Sequence, residues 1–259
     1  EVSVLSRMIA QLALSRNGLS VVYSDMVGFD GNEFYFYQPD EGWGGPLTFG
    51  ESTHRFKSST PMGIHKADGE IILNPPPETS VSDNDELIVF AEDDSTIYYF
   101  KEPVYNARVS EIPQTTISLR NQRVALLNWT PKTGIIMEKL CSYLPAGSEL
   151  CTYVPEINEE MKSFKENLLS IYPELNISLN PMDFNDLDKL NEIDPQSFDS
   201  LLILSPGGAT IEEMDAFVIS LLIRIRQILR NSGLSQWPKL ITEVMDSENI
   251  DIILNSGVE

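Results

Sequence analysis

Carboxylates are the residues in this chain best suited to chemistry. Between Glu78 and Glu102 lie eight acids and a single base, Lys101. Asp83, Asp85 and Glu86 precede one apolar run, and Glu92, Asp93 and Asp94 follow it. Asp25, Asp30 and Glu33 form a smaller group. Calcium takes oxygen ligands from loop carboxylates and carbonyls. Glu92, Asp93, Asp94, Asp83, Asp85, Asp25 and Glu33 are therefore candidate Ca2+ ligands. The EF-hand pattern D-x-[DN]-x-[DN]-G-x5-E occurs nowhere. A solvated acidic rim is the competing reading of the same residues, and the charge pattern favours it.

Other chemistries find less support. The two histidines, His54 and His65, have no zinc-ligand spacing around them and are expected at a surface or interface. Cys141 and Cys151 sit in apolar contexts, which predicts buried free thiols, with one disulfide as the alternative. A dinucleotide site needs G-x-G-x-x-G after a first strand and an acid after the second. Here the first turn reads Asn128-Trp129-Thr130-Pro131-Lys132-Thr133-Gly134, with one glycine, and Glu156 follows Pro155. The turn Ser205-Pro206-Gly207-Gly208-Ala209-Thr210 could seat an anion at a helix start, or be a plain strand-to-helix turn. The Gly-rich run Pro39–Pro46 lacks a phosphate-loop ending and predicts a turn around Trp43. No enzyme activity is expected.

Two kinds of element must position these residues. Gly63–Lys66 and Glu70–Leu73 flank Ala67-Asp68-Gly69, a hairpin signal, because Asp and Gly both tolerate positive φ. Asn74 and the three prolines after it end the second strand, and Glu86–Ala91 reads as a third. Before them come a helix over 1–15, apolar on nearly every side, and a strand at Phe34–Tyr37. Thr48 and Glu51 have capping-box spacing for a short helix. The run 98–118 carries Pro103 and Pro113 without sustained period, placing a domain boundary near Gln114.

From Gln122 onward strands alternate with helices. Strands are predicted at Val124–Trp129, Leu150–Val154, Asn176–Leu179, Leu201–Leu204 and Leu240–Val244. Helices are predicted at Thr133–Leu144, Glu159–Tyr172, near Asp186–Asn191, over Glu212–Arg230 and from Asp246 to Leu254. Alternation of this kind implies a Rossmann-like parallel sheet with right-handed crossovers. The fold class is α/β: a Rossmann-like lobe preceded by a small α+β lobe with antiparallel strands. The long helix carries a second apolar stripe, Ala216, Ile219 and Ile223, which points to a protein partner or to a contact with the N-terminal half.

The chain has 259 residues, 39 acids and 18 Lys or Arg, for a net charge of −21. That charge repels nucleic acid and anionic membranes and suits divalent cations or basic partners. No apolar run approaches the length of a membrane span. The first residue is not Met, so a fragment of a longer protein is expected.

Several segments resemble the CASTOR/POLLUX family of ion channels. They are SRMIAQLA, YSDMVGFDGNEFYF, PMGI with GEIILNP and DELIVFAEDD, FDSLLILS, and LLIRI. The hairpin region is also similar to the C-terminal lobe of an RCK (TrkA-C-like) domain, departing from it at Asp83-Asn84-Asp85. The resemblance implies a cytosolic gating-ring region of a tetrameric cation channel, part of an integral membrane protein. Residues 1–23 would be the crossover helix of a first RCK domain, 24–113 its C-terminal lobe, and 114–259 the Rossmann-like N-lobe of a second. Implied partners are other RCK domains, in dimers or a ring, and an upstream transmembrane pore, with no nucleic acid. Calcium is the first regulatory ligand implied and a nucleotide the second. The alternative is a Rossmann-type nucleotide-binding regulatory subunit or an oxidoreductase fragment.

Overall fold

A computed structural model describes residues 2–15, 19–27, 31–105, 120–207, 210–233, 235–249 and 252–253, except the side chains of residues 2, 24, 25 and 27. The chain forms two compact units. Gly18–Thr115 make one, and Glu1–Asn17 with Thr116–Glu259 make the other. The segment 1–23 is thus not one helix: α1 (Val2–Leu14) belongs to the larger unit and α2 (Leu19–Val27) to the smaller.

In the smaller unit, α2 leads to β1 (Glu33–Tyr37), β2 (Leu47–Thr48) and the one-turn helix α3 (Phe49–Ser52). Then come β3 (Thr60–His65), β4 (Ile71–Leu73), β5 (Ser80–Val81) and β6 (Glu86–Ala91). The main sheet has the antiparallel order β1-β6-β3-β4, and β2 pairs with β5. The expected hairpin is present, with Gly69 at φ 92 and its N–H donating to Lys66 O at 2.8 Å. Gly63 is required by contact, since a Cβ there would lie 2.5 Å from the Ile72 carbonyl oxygen. The Gly-rich run does turn around Trp43, which is wholly buried. Its ring meets Tyr99 edge-on at 5.3 Å, and the Tyr99 hydroxyl donates to Trp43 O at 2.8 Å. Thr48 and Glu51 form the expected capping box on α3.

The larger unit adds β7 (Arg123–Leu127), α4 (Thr133–Tyr143), β8 (Glu149–Val154), α5 (Glu159–Ile171) and β9 (Asn176–Pro181). After them come α6 (Leu187–Glu192), β10 (Ser200–Ile203), α7 (Ile211–Asn231) and β11 (Lys239–Thr242). The five strands are parallel in the order β11-β10-β7-β8-β9, the Rossmann-like arrangement expected. Past β11, where a helix is expected from Asp246 to Leu254, the described residues show a 3-10 turn, Ser247–Asn249, and two helical residues, 252 and 253; residues 250–251 and 254 lie outside those described. The backbone N–H groups of Met245 and Asp246 donate to the Asp215 carboxylate.

A parallel sheet needs apolar cover on both faces. Ala125, Leu127, Leu201 and Ile203 pack with Val218, Leu221, Leu222 and Ile225 of α7 on one face. On the other face, Val124, Leu126 and Leu202 pack with Ile136 and Leu140 of α4 and with Ile9, Ala10 and Ala13 of α1. The crossovers among β7, β8 and β9 supply α4 and α5 to that second face, whereas α7 returns on the first. The second face over β10 and β11 therefore gets no helix from the crossovers, and α1 fills the place. Its C-terminal carbonyls are received by the sheet. Ser200 Oγ donates to Ala13 O at 2.7 Å, and Lys239 Nζ donates to Leu12 O at 2.7 Å and to Ser15 O. A cation at a helix C-terminus is favourable to the helix dipole as well as to the open carbonyls.

If these side chains hold α1 in its seat, Ser200→Ala should destabilise the chain by about 1 kcal/mol and Lys239→Met by about 2 kcal/mol. Urea unfolding followed by circular dichroism reads both. Unchanged midpoints would contradict the capping role.

Candidate site at the carboxyl end of the parallel sheet

Open α/β sheets bind ligands beyond the strand carboxyl ends, where strand order reverses. Here that point lies between β7 and β10, both neighbours in the sheet. β7 is followed by Asn128, a non-glycine residue held at φ 88. Its N–H donates to Tyr153 O at 2.8 Å, its side-chain amide to Leu204 O at 3.3 Å, and its Oδ1 accepts from Trp129 N at 2.9 Å. The strained residue is thus pinned from three sides. Trp129 then leaves the crevice and meets Phe164 of α5 edge-on at 5.8 Å.

The rest of the turn closes on itself. Thr130 N donates to Thr133 Oγ1 at 2.8 Å, and Lys132 N to Thr130 Oγ1 at 3.2 Å. Lys132 Nζ reaches Glu243, just past β11, at 2.6 Å, with side chains 18% and 8% exposed. Ser205 Oγ, after β10, donates to the other oxygen of Glu243 at 3.3 Å. In a dinucleotide-binding sheet the pyrophosphate takes this place at the helix start. Here a carboxylate already occupies the lysine and would repel a phosphate, and Pro131 stands 3.9 Å from where a Cβ on Gly207 would lie. These residues do not fit a dinucleotide. The second turn fares no better as an anion seat. Thr210 and Glu213 cap α7 reciprocally, and Glu212 and Glu213 fill its first turn; residues 208 and 209 lie outside those described.

Sequence reading missed the Lys132–Glu243 pair, whose members are 111 residues apart. It also missed Asp215, buried within α7. Asp215 accepts from Met245 N at 2.8 Å, Asp246 N at 3.0 Å and Asn249 Nδ2 at 2.8 Å. Burial alone would raise its pKa, but these donors outweigh burial and hold it below the usual carboxylate range. A signal was available, because Asp215 lies on the same helical face as Val218, Leu222 and Leu229. Beside the switch point, a cavity of ≈ 620 Å³ opens at the ends of β8 and β9, lined by Pro155, Met182, Phe184, Lys189, Glu192 and Phe217 among others.

The candidate calcium ligands divide between the two ends of β6. Asp83 and Asp85 precede it. Asp85 is 3% exposed. Its oxygens accept from Lys66 Nζ at 2.9 Å, Ala67 N at 3.1 Å and Ser82 N at 2.8 Å, so it staples the hairpin. Burial pushes its pKa up, and those three donors outweigh burial and bring it below the ordinary value. The Asp83 carbonyl accepts from Gln38. Glu92, Asp93 and Asp94 follow β6, about 20 Å away at the rise of a strand. Asp93 caps the turn Asp94–Thr96, with Oδ1 accepting from Ser95 N at 2.9 Å. Pairing of Glu33 with Ala91 brings Glu33 to this end, and burial followed by the charges of Glu33, Asp93 and Asp94 raises the Tyr35 pKa. The Asp25 side chain lies outside the described residues. Among the described residues, no group of three or more His, Cys, Asp or Glu is placed to hold a metal ion. His65 lies on β3, its Nδ1 2.8 Å from Glu86. Cys141 and Cys151 are free thiols, as expected, but only Cys141 is buried and Cys151 partly so; burial pushes Cys141 up to about 12.

Residues 2–106 match the family described as Castor and Pollux, part of voltage-gated ion channel. Along 98% of its length the chain is 29% identical to a probable ion channel POLLUX of Oryza sativa subsp. japonica, covering 29% of that protein. Along 87% it is 30% identical to the ion channel CASTOR of Lotus japonicus, covering 27% of that protein. The chain therefore spans less than a third of these curated relatives. A solved CurJ carbon methyltransferase aligns over 56% of the chain and 34% of its own length, at 14% identity and a TM-score of 0.34, too distant to indicate catalysis. The relatives are named as ion channels, not enzymes.

Two outcomes test this description. Lys132→Ala or Glu243→Ala alone should cost about 3–5 kcal/mol, because each strands a buried charge, whereas Lys132→Met with Glu243→Leu should be close to neutral. Equal losses for single and double variants in urea unfolding would contradict the pair. For Asp85, whose folded pKa is depressed, the stabilisation is present above the unfolded value of about 3.9 and lost as pH falls through the folded one. Asp85→Ala should cost about 2–3 kcal/mol at neutral pH, with the gap from the parent chain narrowing in acid titrations below about pH 4.

Proposed function

We propose that this CASTOR/POLLUX-type chain is the cytosolic regulatory segment of a tetrameric cation channel, with an RCK C-terminal lobe over 24–113 and the Rossmann-like N-lobe of a second RCK domain over 114–259. Residues 1–23 are its crossover segment. The observation that carries this reading is the seat of α1. That helix completes the larger unit, yet only residues 15–18 separate it from α2 of the smaller one. A change that unseats α1 would pass into the neighbouring unit through that short connection. In the assembled protein the lobes pair with other copies in a gating ring, and the ring acts on an upstream pore.

Calcium is the ligand assigned to the ring, and what supports it is the net charge of −21 and the exposed run Glu92, Asp93 and Asp94. No three of the described acids are placed to hold an ion by themselves, so the site would draw further ligands from another lobe or copy. An ion can drive gating only if it binds the two states of the ring unequally. The competing nucleotide or oxidoreductase reading is disfavoured by the Lys132–Glu243 pair in the crevice.

The test uses the full-length protein in liposomes, with potassium flux read at chelated calcium and at roughly 1 mM calcium. Flux should change several-fold, and Asp93→Asn with Asp94→Asn should move the midpoint to higher calcium. A flux indifferent to calcium sinks the calcium assignment. Absence of flux together with turnover of a nicotinamide cofactor sinks the channel reading.

A further inference from the structure

Among the described residues, the outer face of the smaller unit's four-stranded sheet carries exposed apolar side chains around Ile88, which is itself buried. Strand alternation turns Tyr35, Tyr37, Leu87, Val89 and Ile64 into the core. It turns Phe34, Phe36, Ile88 and Phe90 the other way. Pairing sets Phe34 opposite Phe90, with ring centroids 5.1 Å apart, and Phe36 opposite Ile88. Ile71 and Leu73 of β4 continue the row, opposite His65 and Gly63. Phe36 is 57% exposed, Ile71 56% and Leu73 65%. An antiparallel sheet with one solvated face normally places polar residues there. A contiguous apolar row on the outside marks an interaction surface.

The charge around this row selects the partner. Glu86 stands on the same face at one end, and Glu92, Asp93 and Asp94 follow Phe90 at the other. None of β1, β3, β4 or β6 contains a Lys or Arg. Lys66, next to the sheet, is held by Asp85. A second copy of this face would set acidic ends against acidic ends in a chain already at −21.

We propose that this face docks a basic amphipathic segment of a partner protein. Its apolar side covers Phe34, Phe36, Ile71 and Leu73, and its Lys or Arg residues meet Glu86 and the Glu92–Asp94 exit. The acidic exit then gains a role in partner recognition that needs no metal.

Calorimetry on the 259-residue chain at about 0.15 M salt tests this with three synthetic helical peptides. One alternates Leu and Lys in amphipathic order, one replaces Leu by Ser, and one replaces Lys by Glu. The Leu–Lys peptide should bind saturably and the other two should not. Phe36→Ser with Leu73→Ser should weaken binding by about tenfold or more, with unchanged circular dichroism, while Ile223→Ser on α7 should leave it alone. Equal binding of the Lys–Ser peptide, or indifference to the Phe36 and Leu73 substitutions, would overturn the proposal. So would sedimentation showing that the chain self-associates through this face and that the same two substitutions break the association.

Discussion

A parallel sheet cannot leave a face in water, and the larger unit depends on how that requirement is met. Its strands are apolar on both sides: Val124, Leu126 and Leu202 face one way, and Ala125, Leu127 and Leu201 the other. The crossovers cover all of one face and only the α4–α5 half of the other. The missing piece comes from far away in sequence, as α1. A helix apolar on nearly every side is unfavourable as an isolated surface helix, and here its apolar surface is what the sheet lacks. Ser200 and Lys239 convert a non-specific apolar contact into a fixed seat, because they satisfy carbonyls that only a correctly placed helix end presents.

The carboxyl end of the same sheet keeps the switch point of a Rossmann-like fold without the lining that a dinucleotide needs. The geometry of the switch point persists, including a strained first-turn residue, Asn128. In the G-x-G-x-x-G register that starts at Trp129, Trp129 and Pro131 stand where the first two glycines would, and only Gly134 remains. Lys132 is then spent on Glu243, and Ser205 completes the shell of that carboxylate. The crevice is satisfied internally. Removing its ion pair as a unit costs little, whereas removing one member leaves a buried charge without its counter-charge.

Local signals were legible, and long-range ones were not. The hairpin at Asp68-Gly69, the Thr48–Glu51 capping box and the strand–helix alternation each rest on residues within a few positions of one another. The seat of α1 joins residues near 13 to residues near 200 and 239, and no periodicity reports that. Asp215 was legible in principle, as an acid on an apolar helical stripe. Its carboxylate takes the N–H groups that start the segment after β11. The carboxylates near β6 look like one acidic cluster in sequence, yet a six-residue strand holds their two halves apart.

That separation divides the acids of a strongly negative chain into two kinds. Asp85, Asp215 and Glu243 are buried, and each receives two or more donors, so each is a fastener: Lys66 and Lys132 offset the charges of Asp85 and Glu243, and neutral donors solvate that of Asp215. Glu92 and Asp94 are exposed and keep their field, and Asp93 caps a turn while standing beside them. Only the second kind can act at a distance, whether on a cation or on a basic chain. The apolar row of Phe34, Phe36, Ile71 and Leu73 begins beside this exit, and apolar surface adds nothing to the binding of a bare cation. Because charge and exposed apolar area occur together on one face, a ligand carrying both complements is better matched to it than an ion alone.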